Sequence, residues 1–240
     1  MEPKVDVRPA ASRDRTKTAW LDSRHSFSFG PHYDPGNTHH GLLLAHNDDV
    51  VRPGAGFETH PHRDMEIVTW VLEGSLVHRD STGHSGVIYP GLAQRMSAGR
   101  GILHSEKNDS ADPVHFVQAW VLPDETGIDP GYEQLEIDDE LRRGGLIPVA
   151  SGLAKHPAGI RITQRNAALH AARLEPGTSV QLPDAPFLHL FVARGSLTLE
   201  GTGPLSGGDA ARLTATGGQR VTASGASEIL VWEMHATIAA

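Results

Sequence analysis

The chain of 240 residues has no cysteine. That absence excludes disulfides, thiolate zinc sites, iron–sulfur clusters and thiol catalysis. Any metal it holds must be bound by imidazole and carboxylate. Excess positive charge is missing too: 21 Lys and Arg stand against 29 Asp and Glu, a formal net charge of -8. This argues against direct nucleic-acid contact and against an anionic membrane surface. No run approaches the roughly 20 apolar residues of a membrane helix, and Met1–Thr18 is polar and charged, without a signal-peptide core. A soluble, cytoplasmic protein with no membrane partner is the expectation. Disorder is not expected, because 38% apolar and 21% charged residues are ordinary for a globular chain.

What is present is histidine, glycine and proline. The 26 Gly and 16 Pro point to many turns and few long helices. Of the 15 His, 11 lie at or before His115, so the first half is expected to carry the chemistry. Gly41–His46, Glu66–Leu72, Val114–Leu122, Leu188–Ala193, Ser196–Glu200 and Glu228–Met234 are short apolar runs between turn residues. That is the pattern of an all-β sandwich or barrel. Tyr132–Arg143 is the one stretch read as helical, on few apolar positions.

A repeat implies two similar halves. Val71-Leu-Glu-Gly74-Ser75-Leu76 returns as Val192-Ala-Arg-Gly195-Ser196-Leu197, 121 residues later, and at that offset Gly86 falls on Gly207. Pro123–Gly131 has linker composition. The expected domains are residues 1–125, with the metal chemistry, and 126–240, a degenerate copy.

The informative segment is Thr59-His60-Pro61-His62-Arg63-Asp64-Met65-Glu66. Residues two apart on a strand share a face, so His60 and His62 point the same way. Gly101-Ile-Leu-His104-Ser105-Glu106 repeats that spacing. On neighbouring strands, His60, His62, His104 and Glu106 would converge inside a barrel. Three neutral nitrogens and one carboxylate suit a first-row divalent metal with open positions, as in O2-activating non-heme iron centres. Glu66 shares the parity of His60 and His62 and is expected to point inward, as ligand, as partner of a ligand imidazole, or as a base. Shifted by 121 residues, the four ligand positions become Gln181, Pro183, Gly225 and Ser227, so one metal per chain is expected.

His60-x-His62-x3-Glu66, followed by Gly74, resembles the first cupin motif, and Gly101-x2-His104-x3-Asn108 resembles the second. Together with Trp20-Leu-Asp-Ser-Arg-His25-Ser-Phe27-Ser-Phe29-Gly30, they resemble the pirin family. The resemblance implies two tandem cupin (jelly-roll) barrels, a bicupin, with one metal held in the first by His60, His62, His104 and Glu106. It gives the carboxylate role to the second motif and leaves Glu66 spare. It places Fe(II) first, with Mn, Ni, Co, Cu or Zn acceptable to the same set. It further implies a quercetin 2,3-dioxygenase-type activity, with a small aromatic substrate, O2, and Glu106 or Glu66 as base. Animal pirins act as transcription cofactors responsive to iron redox state. The alternative expectation is therefore a non-catalytic metal or redox sensor with a protein partner. A monomer or weak dimer fits either reading.

The remaining candidates read as scaffold. Arg63 and Arg100 are expected to be solvated, and His25 to be held by packing and a hydrogen bond. His39, His40, His78, His84 and His115 are expected at the surface or between strands. Trp20, Phe27, Phe29, Met65 and Trp70 are candidates for a pocket wall, with core packing the stronger reading for each. Gly74-Ser75, Gly99-Arg-Gly101 and Gly207-Gly208 lack the strand–loop–helix setting of a phosphate loop. No Gly-x-Ser-x-Gly elbow is present.

Overall fold

Near-continuous apolar runs such as Glu66–Glu73 form strands because both of their faces are covered, one by a barrel interior and one by a facing sheet. The structure is a computed structural model that describes residues 1–156 and 159–238. It is all-β, with strands numbered β1–β22 in chain order. One seven-stranded sheet runs β12 (Gly131–Glu136), β9 (Leu92–Ser97), β6 (Glu66–Glu73), β11 (Val114–Val121), β4 (Leu43–Val51), β3 (Leu21–His25) and β2 (Asp14–Lys17). Its four-stranded partner runs β5 (Gly56–His62), β10 (Ile102–Lys107), β7 (Leu76–Asp80) and β8 (Ser85–Ile88).

The second barrel repeats the plan. Its large sheet runs β1 (Lys4–Arg8), β20 (Ala210–Thr214), β17 (Phe187–Arg194), β22 (Ser227–Met234), β15 (Ala167–Leu174), β13 (Ile147–Ser151) and β14 (Ile160–Arg161). Its small sheet runs β16 (Ser179–Gln181), β21 (Arg220–Ala223), β18 (Ser196–Leu199) and β19 (Gly203–Ser206). The two large sheets pack on each other through Trp70, Val117 and Ala119 on one side and Leu169, Phe191 and Trp232 on the other. Leu197, Leu213, Val221 and Val231 fill the second barrel. Among the described residues no helix is long and apolar enough to cross a membrane.

Each barrel takes an edge strand from the other side of residue 125. β1 pairs with β20, Lys4 opposite Thr214, and β12 pairs with β9, Gly131 opposite Ser97. This corrects the helix expected over Tyr132–Arg143: only α1 (Asp138–Arg142) is helical. The open edge of β9 offers a row of backbone partners, and a segment with so few apolar positions satisfies them as a strand.

The repeat is real at its turn. Gly74 and Gly195 both have positive φ, +77 and +80. A Cβ there would lie 2.8 Å from Pro113 O and 2.1 Å from Ala226 O. The match of Gly86 to Gly207 is corrected. Gly86 sits opposite His78, and the same place opposite Leu199 is held by Gly203, because the second hairpin is shorter. The fixed offset then fails downstream as well. Glu106 faces His78 on β7, and Val221 faces Leu199 on β18, so Glu106 corresponds to Val221 rather than Ser227.

Candidate metal centre

β5 and β10 are antiparallel neighbours, with His60 directly opposite His104 and His62 opposite Ile102. The three rings meet, with centroids 4.4 Å (His60–His104), 4.9 Å (His60–His62) and 5.0 Å (His62–His104) apart. One nitrogen from each lies within 4.8 Å of the other two. The pairing shifts between His104 and Glu106 because β5 carries an extra residue between Phe57 and His60; β10 runs regularly against β7, so Glu106 keeps the face of His104. Glu106 shares a second such group with His104 and His78. His78 is wholly buried, bonded to Asp80 at 3.2 Å and stacked on Tyr132 at 4.6 Å. The sequence reading put His78 at the surface or between strands. Its alternation with Asp80 on a strand beside β10 was the available signal.

Protonation favours lone pairs. His60 Nδ1–H donates to Glu58 O at 2.7 Å, which leaves Nε2 free. Among the described residues His62 Nε2 and both His104 nitrogens are buried without a partner. Burial, reinforced by the neighbouring imidazoles, pulls His62 down to about 4 and His104 down to about 2. Both rings are neutral at neutral pH. Burial pushes Glu106 up to about 7, and the Gln118 amide opposes that rise. Gln118 Nε2 donates to both carboxylate oxygens, at 3.0 and 2.9 Å, and Trp120 Nε1–H fixes the amide by donating to Gln118 Oε1 at 3.1 Å. Converging neutral imidazoles with free nitrogens, beside an oriented carboxylate, fit a first-row divalent cation.

A cavity of about 730 Å³ opens onto His60, His62 and Glu106. Trp20, Phe29, Phe57 and Trp120 give it aromatic walls, and Thr16, Ser23, His25, Asn47 and Asp49 a polar side. Of the aromatic residues considered for the wall, Trp20 and Phe29 line it. Phe27 and Trp70 are core, and Met65 packs beside Met96 and Ile102. His25 is bonded to Asn47 at 2.9 Å and to Thr16 at 2.9 Å while facing the cavity. Arg63 and Arg100 are exposed, paired with Asp64 and Asp129.

Glu66 does not join the group, which corrects the inward expectation. The strand breaks at Arg63–Met65, where Asp64 has φ +48, so parity is not carried from His62 to Glu66. The carboxylate is fully buried on the opposite face, bonded to Ser97 Oγ at 3.0 Å, Thr163 N at 3.1 Å and Thr163 Oγ1 at 2.8 Å. It clasps the two halves together.

Comparison with known proteins gives a family match described as Pirin over residues 7–121 and one described as Quercetinase C-terminal cupin domain over 149–234. A Mycobacterium tuberculosis protein, provisionally named a quercetin 2,3-dioxygenase, is 63% identical over 239 residues, 99% of this chain and 98% of its own. An Escherichia coli protein named quercetin 2,3-dioxygenase is 47% identical over 135 residues, covering 56% of this chain and 58% of its own. The crystal structure of the bacterial pirin YhhW from Escherichia coli, in complex with nickel(II), superposes with TM-score 0.88 at 33% identity, over 97% of this chain and 99% of that one.

Proposed function

The chain belongs to the pirin family of two-barrel cupins, and on that premise we propose that it is a metal-dependent dioxygenase of the quercetin 2,3-dioxygenase type. His60, His62, His104 and Glu106 hold one divalent transition metal at this centre. The observation that carries the reading is the open cavity of about 730 Å³, which leads directly onto those side chains. A sensor needs no such chamber, and the centre is not sealed by bulky residues.

A divalent metal there, when bound, supplies a Lewis acid for a substrate hydroxyl and a path for electrons to O2. The three neutral imidazoles and one carboxylate leave such a site formally +1, which favours an enolate over the neutral substrate. Glu106 accepts the proton from that hydroxyl, and Gln118 and Trp120 hold its carboxylate in place. Trp20, Phe29, Phe57 and Trp120 sandwich a flat ring and exclude water, and His25, Asn47 and Asp49 hydrogen-bond its hydroxyl groups. Glu66 takes no part in the chemistry, because Ser97 and Thr163 occupy it. The test loads chelator-stripped protein with Fe(II), Mn(II), Ni(II), Co(II), Cu(II) or Zn(II), then follows O2 uptake, flavonol bleaching and CO release. Turnover with at least one metal is expected. None with any, beside a working control enzyme, refutes the flavonol assignment.

A further inference from the structure

The second barrel carries its own cluster, at the end that corresponds to the first barrel's cavity. Pairing fixes the correspondence. Met234 faces Phe187 as Val121 faces Glu66. His170 faces Val231 as Asn47 faces Gln118, and Ala168 faces Glu233 as Ala45 faces Trp120. His170 thus stands where the cavity wall has Asn47, and Glu233 where it has Trp120. A search of the second barrel at the places of His60, His62, His104 and Glu106 misses both, because they lie on the opposite sheet.

Glu233 is fully buried and His170 nearly so. Glu233 Oε2 is 3.0 Å from His156 Nε2 and 3.0 Å from His170 Nε2. Its Oε1 is 2.7 Å from His235 Nε2 and 2.6 Å from Lys155 Nζ. Ligand atoms of His156, His170 and Glu233 lie within 4.8 Å of one another. One lysine would suffice to neutralise the carboxylate, and Lys155 does so on a half-exposed stem. Two imidazoles presenting Nε2 to the same carboxylate oxygen are a donor set for a metal, and His235 orients that carboxylate from its other oxygen.

We propose that His156, His170 and Glu233 form a second divalent-metal site, for a borderline cation such as Zn(II), Co(II) or Ni(II), with His235 held on the other carboxylate oxygen. Tetrahedral coordination at the usual bond lengths separates N and O ligand atoms by about 3.4 Å. The observed 3.0 Å needs only a small opening of the side chains. On binding, Lys155 swings to solvent, and His156 and His170 free Nε2 by taking the Nδ1–H tautomer, any second proton on either ring passing to solvent. These three protein ligands leave one tetrahedral position for water. A metal there would tie the loop after β13 to β15 and β22, at the end where the first barrel has its cavity. The proposal stands independently of the function assigned to the first centre.

The test counts metal bound by chelator-stripped full-length protein after equilibrium dialysis against Zn(II) or Co(II) alone. His170→Asn, which installs the first barrel's residue, and His156→Gln, at a partly exposed side chain, should each lower the count by one equivalent. His104→Asn should remove the other equivalent and leave this one. The Co(II) form should lose its tetrahedral visible absorption at this site in His170→Asn and keep it in His104→Asn. If His170→Asn does not fold, His156→Gln alone decides, in both the count and the spectrum. A count and spectrum unchanged by these second-barrel variants overturn the proposal.

Discussion

Asp49 is buried at the cavity wall, Oδ1 has no partner among the described residues, and burial pushes its carboxyl up to about 7. The folded chain then keeps a proton that the unfolded chain loses near pH 4. Between about pH 4 and 7 the folded state binds more protons, so this group's contribution to stability falls as pH rises. Asp49→Asn in metal-free protein should raise stability by on the order of 2–4 kcal/mol at pH 7.5 and by far less at pH 4.5, read from Tm at both values. Gln118 acts differently, by donating to Glu106. Gln118→Leu should weaken metal affinity at the first centre by about 10- to 100-fold in a competition titration. At this scale the sequence was informative where parity holds unbroken. His60 and His62 share one strand, and His104 and Glu106 another. It misled at Glu66, where a turn resets the face. It was silent on Gln118 and Trp120, which reach the site from the opposite sheet.

Turns are the elements most legible in the chain. Gly74 recurs as Gly195 in the repeat, and its φ of +77 with Pro113 O close behind shows why no side chain fits. Gly74→Ala should cost about 1–3 kcal/mol, seen as a lower urea midpoint with an unchanged m-value. Strand β12 was illegible because its reason lies elsewhere. Tyr132–Glu136 has weak local periodicity, and what makes it a strand is the free edge of β9. The shortened hairpin β18–β19 was equally hidden. A fixed offset cannot register a deletion, so it matched Gly207 where the pairing has Gly203.

The tandem duplication could be read from two hexapeptides, and the all-β class from the punctuation of apolar runs. The exchange of β1 and β12 could not, since no local pattern records which sheet an edge strand joins. The exchange bears on the domains proposed as residues 1–125 and 126–240. Each piece would hold a strand of the other's sheet and one face of the shared core of Trp70, Phe191 and Trp232. A protease site placed after Glu125, an exposed residue, should therefore give two fragments that still elute together from a size-exclusion column without denaturant. Separate elution would show two independent folding units.

The same exchange orders events in time during synthesis. The first barrel has its own edge strand once residue 136 has left the ribosome, so it can close while the second is still being made. Strand β1 emerges before β2–β22, yet residue 4 must wait for residue 214 before it finds its partner. β1, made before all its neighbours, is among the last to dock, and until then the nascent chain trails it as an unpaired strand.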